Sequence, residues 1–143
     1  MVITREADYA LRLMLVLAEH RSGRPVSSRA LADESRVPYE IARSILARLT
    51  DAGLLDSYRG RTGGYHLARG TSEIKVGEIL AVAGEHLDLN ACVVDETSCS
   101  SSDSCAMHPI WISASELLRG YLGEMTLQEV VDSSLPQSAA PAC

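Results

Sequence analysis

Three cysteines and a histidine fall within one short stretch of this 143-residue chain: Cys92, Cys99, Cys105 and His108, spaced C-x6-C-x5-C-x2-H. Thiolates and imidazole are the donors that hold zinc and iron–sulfur centres. The stretch around them is polar and rich in serine, so residues 85–108 read as a loop that carries a metal centre. A set of three cysteines and one histidine satisfies the tetrahedral preference of zinc. Structural zinc sites, however, use close C-x2–4-C pairs, and this stretch has none. A metal-free thiol switch is the third option. Asp88, Asp95, Glu96 and Asp103 stand near the thiols in sequence and disfavour thiolates unless a cation holds them, which leans toward a bound group. Cys143 ends the segment SSLPQSAAPAC and is expected to stand apart from the site.

The elements that must position these residues are mostly helical. The chain is 46% hydrophobic with no phenylalanine, so its core must be aliphatic. Its length suits one compact domain with an accessory helix. Thr4 can cap a helix from Arg5 to about His20, which RSGRP (21–25) breaks. Ser27 or Ser28 caps a short helix, SRALADES. Arg36, Val37 and Pro38 make a tight connection to a second helix, Tyr39 to Ala52, stopped at Gly53. LLDSY (54–58) and YHLA (65–68) read as strands joined by the turn RGRTGG (59–64). Further helices are expected at 76–84, from Pro109 to about Leu122, and after Thr126. The helix from Pro109 carries Ile110, Trp111, Ala114, Leu117, Leu118 and Tyr121, a wide apolar stripe with little of its own chain left to cover it.

Charge divides the chain. Residues 1–70 hold eleven of the thirteen basic residues, all arginine, against eight acidic ones, a net of +3. Residues 71–143 hold two against eleven, a net of −9. A phosphate-binding surface therefore belongs to the first half, despite the overall −6. No apolar run reaches the ~20 residues that a membrane span needs. LMLVLA (13–18) is too short and follows acidic residues, unlike a secretory signal. A cytoplasmic protein with reduced thiols is the expectation.

Helix, tight turn, helix and hairpin in this order make a winged helix-turn-helix. At ~100° per residue, Ile41, Ala42, Ile45, Leu46, Leu49 and Ala52 fall on one side of the second helix. Glu40, Arg43, Ser44, Ala47 and Asp51 fall on the other. Arg43 can donate two hydrogen bonds to a guanine, and Glu40 can accept from a cytosine amino group. Taken alone this is an ordinary amphipathic surface helix. The hairpin shifts the balance, because its tip sets Arg59 and Arg61 among glycines that allow close backbone approach. Ser28, Tyr39, Glu40, Arg43, Ser44, Arg59, Arg61, Gly63 and Gly64 are the expected DNA-contacting set. No phosphate-binding glycine motif, nucleophile–base pattern or C-x-x-C motif points to an enzyme.

The chain resembles the winged-helix iron–sulfur transcriptional regulators that include IscR and NsrR. DYALR (8–12), VPYEIARSILARLTDAGLL (37–55), RGRTGGYHLA (59–68), VGEIL (76–80) and the cysteine loop followed by HPIW (108–111) carry the resemblance. It implies a homodimer, with residues 109–122 as the dimerisation helix. It also implies two candidate fourth ligands. His108 stands where IscR-like proteins supply a histidine to a 2Fe–2S cluster. Asp8 stands where NsrR-like proteins supply an aspartate from the partner subunit to a 4Fe–4S cluster. The interval between the first two cysteines is one residue longer than in those relatives.

The expected organisation is a mainly α protein: a winged helix-turn-helix domain over 1–84 with a two-stranded β-wing, a cluster loop over 85–108, a long dimerisation helix with a short terminal helix over 109–132, and a disordered tail over 133–143. The expected function is an iron–sulfur-dependent regulator, a repressor that binds a pseudo-palindromic double-stranded DNA operator as a homodimer and responds to redox, iron or nitric oxide status. Cys92, Cys99, Cys105 and His108, with Asp8 as alternative, would hold the cluster, 2Fe–2S ahead of 4Fe–4S. A zinc- or thiol-based regulator on the same fold is the alternative.

Overall fold

A computed structural model describes residues 3–20 and 22–133. The element order is α1 (Arg5–Glu19), α2 (Ser28–Ser35), α3 (Tyr39–Asp51), β1 (Leu55–Tyr58), β2 (Gly64–Leu67), α4 (Val76–Val82), α5 (Ala91–Val94), α6 (His108–Glu124) and α7 (Leu127–Ser133). Two 3-10 turns, Glu96–Ser98 and Ser102–Ser104, lie between α5 and α6. Among the described residues no helix is long and apolar enough to cross a membrane. Cys143 and the tail beyond Ser133 lie outside the described residues.

Local chemistry sets the ends of these elements. The Thr4 hydroxyl accepts from the Ala7 amide at 3.2 Å and starts α1; the Ser27 hydroxyl accepts from Ala30 at 3.2 Å and starts α2. Arg36 turns the chain with φ 57° and ψ 39°, and Pro38 precedes α3. Thr126 and Glu129 form a reciprocal cap on α7: the Glu129 amide donates to the Thr126 hydroxyl, and the Thr126 amide donates to the Glu129 carboxylate.

The main core gathers Leu13, Met14 and Leu17 of α1, Leu31 of α2, and Ile45, Leu46 and Leu49 of α3, with Leu54, Leu55, Ile74 and Ile79. Leu127 of α7 returns to this same core. The wing is an antiparallel pair in which Leu55 faces Leu67 and Tyr58 faces Gly64. It is not free-standing, because Val26, just before α2, bridges to Tyr65. A second cluster joins Ala7 of α1 to Val76 and Leu80 of α4 and to Leu87, with Leu118 and Leu122 of α6 packed on it. Small residues let α4 and α6 close up: a Cβ at Gly77 would stand 3.0 Å from the Gly123 Cα.

The apolar stripe of α6 therefore divides. Leu118 and Leu122 cover the second cluster. Ile110, Leu117 and Tyr121 stay 53%, 75% and 66% exposed, and Met107 before them 43%. Positions 107, 110, 114, 117 and 121 follow the alternating three-and-four spacing of a helix–helix seam. Pro109 is the second residue of α6, one place later than expected, because His108 begins the helix.

Candidate nucleic-acid interface and metal centre

Three elements meet at the candidate reading surface only because two short connections are tight. The Arg36–Pro38 turn sets α3 against α2, and the Val26–Tyr65 bridge sets the wing beside the start of α2. Ser27, Ser28, Arg59, Gly63, Gly64 and Tyr65 line one notch of about 310 Å³ between α2 and the wing. Gly63 and Gly64 are needed there. A Cβ at Gly63 would lie 2.2 Å from the Tyr58 carbonyl oxygen, and one at Gly64 would lie 2.3 Å from the Val26 carbonyl oxygen. Arg59 and Arg61 are exposed at the wing tip, and neither forms an ion pair with the described residues.

On α3, Ala42, Ile45, Leu46 and Leu49 are buried, while Glu40, Arg43, Ser44 and Ala47 face solvent. Arg43 and Glu40 approach to 3.7 Å across one helical turn. The structure moves two residues of the expected apolar side outward: Ile41 is 41% exposed, and Ala52 is exposed. Ile41 sits at the rim of the buried stripe, where it lines an open groove with Arg5, Glu6 and Tyr9 of α1. One basic residue that sequence reasoning missed is Arg29. Its guanidinium carbon stands 3.7 Å from the centre of the Tyr39 ring.

The cysteines lie on a segment with more order than a plain loop. Cys92 is half-buried within the one-turn helix α5; Cys99 and Cys105 are exposed; all three are free thiols. Asp95 accepts from both the hydroxyl and the amide of Thr97, which holds its carboxyl below the usual range. A backbone hydrogen bond from the His108 amide to the Cys105 carbonyl, 3.2 Å, turns the last cysteine toward the histidine's helix. The ends of the segment are both fixed on α6. At its start, the Leu89 amide donates to the buried Ser115 hydroxyl at 3.0 Å, and Asp88 pairs with Arg119. That ion pair spends the Asp88 charge on Arg119 and not on the thiols.

The donor set fits a cluster chemically: three unpaired thiols and an imidazole on one segment. The Nδ1 of His108 is buried and has no hydrogen-bond partner among the described residues, as a nitrogen reserved for another acceptor or a metal would be. Asp8, the alternative ligand, is instead engaged within α1, 2.8 Å from the Arg12 guanidinium. Among the described residues no three His, Cys, Asp or Glu side chains converge as a single metal ion requires.

Comparison with known proteins agrees with this architecture. A family profile described as "Rrf2: Iron-dependent Transcriptional regulator" matches residues 3–133. The HTH-type transcriptional regulator IscR of Serratia proteamaculans is 32% identical over 133 residues, covering 93% of this chain and 80% of that one. The IscR of Klebsiella pneumoniae is 32% identical over the same share of this chain and 81% of its own. Among solved structures, the IscR of T. potens superposes with a TM-score of 0.73 at 25% identity, covering 99% of this chain and 94% of that one. CymR, described as the global cysteine regulator of B. subtilis, superposes with a TM-score of 0.77 at 22% identity, over 94% and 98%.

Proposed function

The chain belongs to the Rrf2 family of transcriptional regulators, and on that premise we propose that it is a homodimeric, iron–sulfur-dependent regulator of a pseudo-palindromic operator. The observation that carries the reading is the pinning of the thiol-bearing segment. Leu89 and Asp88 hold its start to the middle of α6, and His108 at its end is the first residue of α6. The outer face of that same helix is bare. A change at the cysteines therefore acts on the helix that a second copy would cover.

Cys92, Cys99 and Cys105 would supply thiolates, and His108 the fourth ligand. His108 is preferred to Asp8 because its buried Nδ1 lacks a partner while the Asp8 carboxylate already has Arg12. This favours a 2Fe–2S centre. When bound, the cluster supplies a centre sensitive to oxidants, nitric oxide and iron supply. The remaining steps belong to the chain's own side chains. Ile110, Leu117 and Tyr121 bury against their copies in the dimer, which fixes the spacing of two α3 helices. Arg43 and Glu40 read base edges in the major groove. Arg59 and Arg61 on the wing contact the backbone or the minor groove.

Anaerobic purification tests this reading, with visible absorption, iron and sulfide counts, and anisotropy on palindromic and scrambled duplexes. Equal iron and sulfide, lost in Cys92→Ala, Cys99→Ala and Cys105→Ala but kept in Cys143→Ala, is the expected result. Zinc without sulfide, or no metal in any preparation, would replace it with a zinc- or thiol-based regulator. His108→Ala and Asp8→Ala, reconstituted without oxygen, decide the fourth ligand: if only Asp8→Ala changes the spectrum, the histidine assignment fails.

A further inference from the structure

We infer that Arg29 is a DNA-backbone contact of this protein, held ready for a phosphate by the ring of Tyr39. The inference rests on the DNA-binding reading above and adds α2 to the surface. Arg29 is the second residue of α2 and Tyr39 the first of α3, so their contact spans the tight turn of the helix-turn-helix. The guanidinium carbon lies 3.7 Å from the ring centre, and that of Arg43 lies 5.8 Å from the same ring.

The type of contact decides what Arg29 is free to do. Arg12, Arg48 and Arg69 are paired with carboxylates, which occupy N–H donors and offset their charge, and Arg43 stands 3.7 Å from the Glu40 carboxylate. Arg29 is exposed and has no ion pair among the described residues. A guanidinium stacked on a ring uses its face. Its five N–H donors lie in the plane and stay available, and its charge is not cancelled. The ring also fixes a long side chain before binding, which removes part of the ordering cost of a contact. The first helix of a helix-turn-helix crosses the DNA backbone, where arginine meets phosphate oxygens rather than base edges. The neighbouring notch, lined by Ser28 and Arg59, sets the wing tip beside the first residue of α2, next to Arg29 in the chain.

The test uses the full chain and anisotropy on an operator duplex and a scrambled duplex at 50–200 mM salt. Arg29→Ala should weaken both duplexes by the same factor. A dimer loses two phosphate contacts, so the slope of log K against log salt should fall by about 1.8, and the wild type should lose ~12-fold more affinity than the variant across that range. Arg29→Lys should keep the slope. Tyr39→Phe, which keeps the ring under Arg29, should weaken binding less than Tyr39→Leu. Tyr39→Leu should weaken binding with the slope unchanged, and should add nothing in the Arg29→Ala background. Three results would overturn the inference while the functional reading stands: an unchanged slope in Arg29→Ala, a loss confined to the operator, or a loss that tracks a fall in melting temperature as for a structural brace. A wild-type protein that binds no duplex would remove the functional reading itself, and this inference with it.

Discussion

Val26 and Tyr65 exchange two backbone hydrogen bonds, 2.9 and 2.8 Å long, which tie the approach to α2 to the second strand of the wing. The wing is thus held by three segments of chain, and its distance from α2 is set by backbone, not side chains. Gly64, beside Tyr65, has φ 156° and no space for a Cβ against the Val26 carbonyl. Gly64→Ala should destabilise the protein by about 1–3 kcal/mol and weaken DNA binding as the bridge opens. Thermal melting and anisotropy check this; an unchanged melting temperature would show that the bridge is not required.

Ser115 is fully buried in α6 and accepts the Leu89 amide. Ser115→Ala leaves that amide without its partner, a cost of about 1–3 kcal/mol. Urea unfolding should report this loss, and limited proteolysis should cut residues 90–107 faster. A variant as stable and as resistant as the wild type would contradict the pinning of the segment.

Leu117 is 75% exposed on α6, so the single chain gains little from it. On the proposed dimer, Leu117→Arg should leave helical circular dichroism intact and sediment as a monomer at equilibrium. An unshifted mass in that variant would locate the dimer contact elsewhere.

Two carboxylates make stability depend on acid. Glu129 is held below its ordinary 4.5 by the Thr126 amide and hydroxyl. For Glu78, burial pushes the carboxyl up, but the Lys75 amide and the Arg69 guanidinium outweigh it and leave it lowered. A carboxylate lowered in the folded state stabilises above its unfolded value and loses that contribution as pH falls through the folded one. The stability gap between the wild type and a Glu78→Gln, Glu129→Gln variant should therefore be full near pH 6 and shrink below about 4.5. A gap that stays constant from pH 6 to pH 3 would reject this linkage.

The sequence showed clearly those features whose causes are local. Thr4, Ser27 and Thr126 mark helix starts, Gly53 marks an end, and the glycines of the wing mark a turn that must pass close to other backbone. The α3 stripe was legible because helical periodicity places Ala42, Ile45 and Leu49 together. What escaped depends on partners distant in the chain. The one-turn helix that carries Cys92 is too short to hold itself together without its neighbours. The Arg29–Tyr39 stack joins two helices, and the Asp88–Arg119 pair joins loop to helix. Ile41 lies at the edge of a stripe, where only the reach of α1 decides whether it is covered.

The segment from Leu89 to His108 is closed into a ring by α6. Its two anchors, Ser115 and His108, are seven residues apart on a rigid helix, ~10 Å along the axis. The entropy of bringing its ends together is thus settled when the core folds, whether or not the cysteines hold anything. Emptying such a ring frees its interior but releases no loose end. Filling it with the proposed cluster would need no search by a wandering tail, because both ends of the thiol-bearing segment are already held on one helix.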